Sequence, residues 1–261
     1  LINAFRSEWV PLLRRRFLLG TLAAVAAVAA LGATLTIFST GRTDFDGDPV
    51  TVAMLAAPSG VSEGLEAVTI LLGVVALSVT AAALAGEYSR GTLRNQLVAQ
   101  PHRLRLLAGK CLALAVFVVL VVAVSALVAV GLSFALAPVR GIPTDQWTSL
   151  AGLAQFGRSL VNVSLGALGY AAVGALAAVV LRSPAAAIAV GLAYALPVEM
   201  LVSRIYGPAG GWLPAHLMEI LAVGGTGYST TYAQAGLRVL LFCTVAALIT
   251  AVLFRRRDVT A

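Results

Sequence analysis

The chain has 261 residues, of which 60% are hydrophobic and only 11% charged, against about 25% charged in an ordinary soluble domain. A soluble core of this size needs far less apolar sequence, so composition sets aside a soluble globular domain and points to the bilayer as solvent. The net charge of +7 does not indicate nucleic acid, because the bases cluster at the ends of apolar runs, which is the pattern of membrane topology.

The first predicted element covers Leu1–Arg16. Ile2, Phe5, Trp9, Leu12 and Leu13 recur at helical spacing beside Arg6 and Arg14, Arg15 and Arg16. This reads as an amphipathic helix in the cytoplasmic interface, a depth that favours both Trp and Arg. The three arginines before an apolar run also resemble the start of a secretion signal. However, the run Phe17–Phe38 exceeds the roughly 7–15 residues of a signal's apolar core, and it is read as a permanent span.

Six runs are long enough to cross a bilayer, which takes roughly 20 helical residues at about 1.5 Å each. They are Phe17–Phe38, Ala67–Ala85, Cys111–Ala137, Ser159–Leu181, Ala185–Val202 and Leu237–Phe254. Arg182-Ser183-Pro184 alone joins the fourth to the fifth, a tight hairpin. Small residues let helices approach closely in lipid, and Gly166, Tyr170 and Gly174 mark such a face on the fourth span. A shorter apolar stretch, Trp212–Val223, contains Pro214, His216 and Glu219. It is predicted as a re-entrant or interfacial helix, tolerated at depth only when buried in protein. The expected fold is an all-α integral membrane protein: one transmembrane domain over 1–261, with an interfacial helix (1–16), six transmembrane helices, a cytoplasmic loop (86–110) and an outer segment (203–236).

Charge orients these spans. With both termini on one side, that side carries Arg6, Arg14, Arg15, Arg16, Arg90, Arg94, Arg103, Arg105, Lys110, Arg182, Arg255, Arg256 and Arg257. The other side carries only Arg42, Arg140, Arg158, Arg204 and Arg238. The bias places both termini in the cytoplasm of a multi-pass protein of the bacterial cell membrane.

The loop "GEYSRGTLRNQLVAQPHRLRLLAGK", Gly86–Lys110, has its own local logic. Gly91-Thr92 is a turn and a helix N-cap, Leu93 and Leu97 share a helical face with Gln96 and Gln100 nearby, and Pro101 stops or kinks the helix. The sequence therefore encodes a short cytoplasmic helix that shows leucines and arginines to water, and such a helix needs a partner or the lipid surface to cover it. Glu87, Tyr88, Gly91, Thr92, Leu93, Arg94, Pro101, Arg103, Gly109 and Lys110 resemble the loop after the second span of ABC type-2 permeases. There an acidic residue and an aromatic precede Gly-Thr, a Leu-Arg pair, a Pro, bases and a final Gly-Lys. Asn95-Gln96 stands where that family is often apolar, so the docking face is expected to be more polar here.

The resemblance implies the membrane half of an exporter. Two cytoplasmic ABC ATPase subunits would bind ATP and Mg and grip the coupling helix through Glu87, Gly91, Thr92, Leu93, Arg94, Gln96, Leu97, Pro101 and Arg103. A second permease, identical or homologous, would complete a dimer for multidrug-like export of an amphipathic drug, antibiotic peptide or lipid-like molecule. No GxxxxGK[ST] run is present in the sequence, so this chain is not expected to hydrolyse ATP or to hold a cofactor itself.

Other constellations are weaker. Asp44–Asp48 resembles a calcium loop, but Pro49 and Leu55 stand where such a loop needs Gly and Glu, and no metal is expected. Asn162, Tyr170, Tyr194 and Glu199 are polar groups within spans that could line a pathway or bond neighbouring helices. His216 and Glu219 share a helix face with Glu199 nearby, which would suit an intramembrane enzyme. An ion-coupled secondary transporter would want more ionisable groups at mid-depth. Cys111 and Cys243 fall on different sides of the bilayer, and no disulfide is expected between them.

Overall fold

The apolar runs fold as helices that overshoot them. The computed structural model describes residues 2–42, 49–99, 102–206, 211–225 and 229–256, with the side chains at 2–4, 94, 95, 97, 99, 200 and 203 outside that description. A first helix, α1 (Ile2–Leu12), meets α2 (Arg15–Phe38) at an extended Arg14. Two short helices follow, α3 (Val52–Ala56) and α4 (Gly60–Glu66), then α5 (Thr69–Ser89), α6 (Thr92–Ala99) and α7 (Arg103–Leu136). The second half comprises α8 (Leu150–Leu181), α9 (Pro184–Ala193), α10 (Glu199–Ile205), α11 (Pro214–Ala222) and α12 (Tyr232–Arg256). The acidic stretch Asp44–Asp48 lies outside the described residues.

Among the described residues five helices, α2, α5, α7 with its 3₁₀ extension to Arg140, α8 and α12, are long and apolar enough to cross a membrane. The fifth apolar run is a shorter helix, Pro184–Val198, which passes through a π-helical turn at Tyr194–Val198 into α10. Pro197 lies inside that turn. It has no N–H for the i−4 carbonyl, and a locally widened helix accommodates the loss. Elsewhere, caps set the ends. Ser149 accepts from the Gly152 N–H at 3.1 Å and starts α8 well before its apolar run. α7 likewise begins at Arg103 rather than Cys111, so its basic first turn lies outside the hydrocarbon, which at about 30 Å is shorter than a helix of this length.

Packing is closest where side chains are absent. α5 lies along α8: a Cβ on Gly174 would fall 2.5 Å from the Leu77 carbonyl, and one on Gly73 would fall 2.4 Å from the Tyr170 ring. α4 tucks against α2 in the same way, with Gly32 under the Gly64 carbonyl. The stretch before the last span becomes α11, buried along most of its length against α8 and α12, as a short helix at depth requires. At one end of the bundle Trp147 is buried beside Ile37, Leu55 and Ile142, and its indole N–H donates to the Leu55 carbonyl at 2.8 Å. The other end carries α1, α6 and the last turn of α12, and we call it the basic end. Along α12 the leucines face outward, with Leu237 70% exposed, as expected of a helix solvated by lipid.

Candidate functional site

At the basic end the chain leaves α5 and must reverse towards α7, and the local sequence does so in one turn. Gly91 takes φ +67°, a left-handed conformation that a side chain resists. α6 then starts at Thr92, whose hydroxyl donates to the Glu87 carbonyl at 3.5 Å. The Gly-Thr pair is therefore the reversal itself, and it ties the new helix back to the old one.

A charged cluster lies beneath α6. Lys110 is completely buried, and its ammonium donates to Glu87 Oε1 at 2.7 Å and to Glu8 Oε1. Gln96 Nε2 also donates to Glu87 Oε1, at 3.4 Å. Two carboxylates share one ammonium here. Burial, and then the charge of Glu87, push the Glu8 carboxyl above its usual range, against the pull of Lys110. Glu8 belongs to α1, Glu87 to α5, Gln96 to α6 and Lys110 to α7, so one cluster holds four elements. Sequence reasoning placed Glu87, Gln96 and Lys110 in the loop but missed Glu8. The available signal was a single acid in an otherwise basic and apolar helix.

An apolar contact completes the clamp. Leu93 is 1% exposed, packed with Leu106, Leu107, Val179 and Phe254. It was expected to face water; instead it is the foot of α6, planted between the ends of α7, α8 and α12. The Tyr88 ring meets Phe254 edge-on at 6.5 Å, and the Arg182 guanidinium lies 5.7 Å from the centre of the Tyr88 ring. Arg103 Nη1 donates to the Arg255 carbonyl at 3.2 Å. Among the described side chains of α6, the apolar one turned outward is Val98, 82% exposed. Arg94 and Leu97 are positions on this helix whose side chains lie outside the described set, as does Pro101.

Of the polar groups predicted within spans, three come together and one stands apart: Tyr194 is hydrogen-bonded to Glu199, Tyr170 lies within reach of the Glu199 and Glu219 charges, and Asn162 is paired elsewhere. Tyr170 is buried in the α5–α8 contact over Gly73. Asn162 Oδ1 accepts from the Tyr232 hydroxyl at 2.8 Å, joining α8 to α12. Tyr194 is half-buried in the π turn. Glu199 is buried, and its Oε2 accepts from the backbone N–H groups of Ala215 and His216 at 2.8 and 3.2 Å, capping the start of α11. His216 Nδ1 stands 3.6 Å from Glu219 Oε2. Cys111 and Cys243 are free thiols.

A multi-pass helical bundle with a short, partly exposed helix clamped across the ends of its spans has the build of a transport subunit. The chain matches the family described as ABC-2 family transporter protein over residues 2–259, and it belongs to that family. It is accordingly a multi-pass permease subunit of an ABC transporter, and its family implies an ATP-binding-cassette partner. Among curated proteins none matches the chain.

Proposed function

We propose that this chain forms the export pathway for an amphipathic substrate, a drug, antibiotic peptide or lipid-like molecule, with ATP and Mg bound by a partner ATPase. In this reading two permeases, identical or homologous, work with two ATPase subunits, and α6 is the coupling helix. Both termini and α6 face the cytoplasm of a bacterial cell, as the positive-inside bias requires. The observation that carries the reading is the clamp. A movement imposed on α6 reaches α1, α5 and α7 through Glu87, Gln96, Lys110 and Glu8, and the ends of α8 and α12 through Leu93. A buried charged cluster and a packed leucine transmit displacement because neither tolerates partial separation.

The outer face of α6 is tested at Val98, whose side chain is almost wholly exposed and carries little of the fold. Val98→Asp places a charge where an apolar groove of the ATPase would close. We expect normal membrane insertion, loss of ATPase co-purification and at least a ten-fold fall in substrate-stimulated ATP hydrolysis. Unchanged co-purification and hydrolysis in this variant would remove α6 from the coupling role.

A further inference from the structure

A groove of about 980 Å³ lies between α7, α8 and α12. That is the upper end of the about 300–1,000 Å³ typical of ligand pockets. Its floor is made by small residues of α8, Gly169, Ala172 and Ala175, and it follows α12 from Tyr232 to Ala251. Leu237 and Leu240, on its α12 wall, are exposed, so the groove opens sideways. It is apolar along its length, and an empty apolar trench of this size would forfeit the dispersion contacts of every side chain lining it.

At its foot the chemistry changes. Leu104 lines both this groove and a second, open cavity of about 470 Å³ whose other walls are His102, Arg103, Arg105 and Arg255. Arg105 and Arg255 are exposed, and Arg103 bonds the Arg255 carbonyl, which draws the ends of α7 and α12 together at the rim. α7 begins there without a side-chain cap from His102, so the positive end of that helix adds to the arginines. A long apolar trench with a basic rim at one end matches a molecule that is apolar along its length and anionic at its head.

We infer that the groove holds a two-chain anionic phospholipid, its acyl chains laid along the α8 floor and its phosphate held at the rim by Arg105 and Arg255. The site rests on the groove and its charged mouth, and does not depend on what the protein transports.

The test is native mass spectrometry of the purified permease with equimolar phosphatidylglycerol and phosphatidylcholine of the same acyl chains. A basic residue beside an anionic headgroup is worth about a five-fold preference, so the wild type should favour phosphatidylglycerol by ten-fold or more, on the order of two such contacts. Arg105→Gln with Arg255→Gln should bring the two lipids within about two-fold of each other, on the same scale. Ala247→Trp, which fills the groove from an exposed position, should lower retention of both lipids. A second readout needs no change at the rim: with Cys243→Ala, alkylation of Cys111 in the groove wall should be slowed by phosphatidylglycerol and not by phosphatidylcholine. Equal retention of the two lipids by the wild type, or an undiminished preference in the double arginine variant, overturns the proposal. So does efficient disulfide cross-linking between two copies of an Ala247→Cys variant, which would give the groove to a second permease.

Discussion

Lys110 is a charge that the apolar interior could not hold alone. Removing one partner from a buried ionic cluster leaves the others uncompensated, at a cost of about 3–5 kcal/mol. Lys110→Met strands two carboxylates, Glu8 and Glu87, and should lower the thermal unfolding temperature in detergent sharply. Glu8→Gln should be much milder, because burial already favours a neutral group at that position and the amide keeps a hydrogen bond to Lys110. Equal damage from the two changes would contradict this account of the cluster. Glu63 offers a test in pH. Burial, and then the charge of Glu66, raise its carboxyl from 4.5 to about 7. The folded state thus holds this proton more tightly than the unfolded chain does. The group's contribution is most favourable below about 4.5 and is lost as pH rises through about 7. Glu63→Gln should therefore melt above the wild type at pH 8, with the gap closing as the pH falls towards 4.5, the ordinary value of the group.

At the scale of elements, α8 is the helix on which the others are assembled, and its glycines decide how close they come. Gly166 approaches the Met218 carbonyl of α11, and Gly174 the Leu77 carbonyl of α5. Backbone atoms cannot rotate aside, so any side chain at these positions separates whole helices. Gly174→Val should destabilise the protein by about 1–3 kcal/mol or more, the cost of overpacking a filled contact. Gly157→Val lies on the same helix with nothing within 4 Å of its Cβ and should be close to neutral. Thermal unfolding of the pair in one detergent separates steric exclusion from helix propensity, since both changes alter propensity alike. α6 obeys a different rule. It is too short to be stable alone, and it persists because Leu93 and Gln96 anchor it to longer helices. A helix formed by its contacts also moves with them, which is what the coupling role proposed for α6 requires.

For the whole molecule, lipid and water divide the labour. Helices turn leucines outward along their middles, close on one another through glycine and alanine, and leave their ion pairs and caps at the ends. The end with Trp147 is closed by apolar packing around one indole hydrogen bond. The basic end is held by charges and a shared leucine cluster. On the proposed coupling through α6, that asymmetry suits a permease driven from one side: the basic end has many discrete contacts to displace, and the far end is braced. The groove along α12 lies between the two, apolar for its length and basic only at the basic end of the bundle.

Much of this was legible in the sequence because hydrocarbon is an undemanding reader. A run of about 20 apolar residues has few other fates, and a bias of arginines has one simple cause. Five of the six spans, the first helix, the buried short helix before the last span and the short helix at Thr92–Ala99 followed from those rules, while the fifth apolar run folded as a shorter helix. Tertiary structure alone decided which way side chains faced and whom they met. Leu93 was expected outside and is buried, because a leucine on a short helix cannot announce whether water or three helix ends lie beside it. Glu8 acquires its role only once α1 is laid against Lys110. The bonds from the start of α11 to the Glu199 carboxylate exist only because α11 is folded back against it. Cys111 and Cys243, assigned to different depths, line one groove. Apolar length is a local property written residue by residue, whereas a charge pair, a helix cap or a groove exists only once segments distant in the chain are packed together.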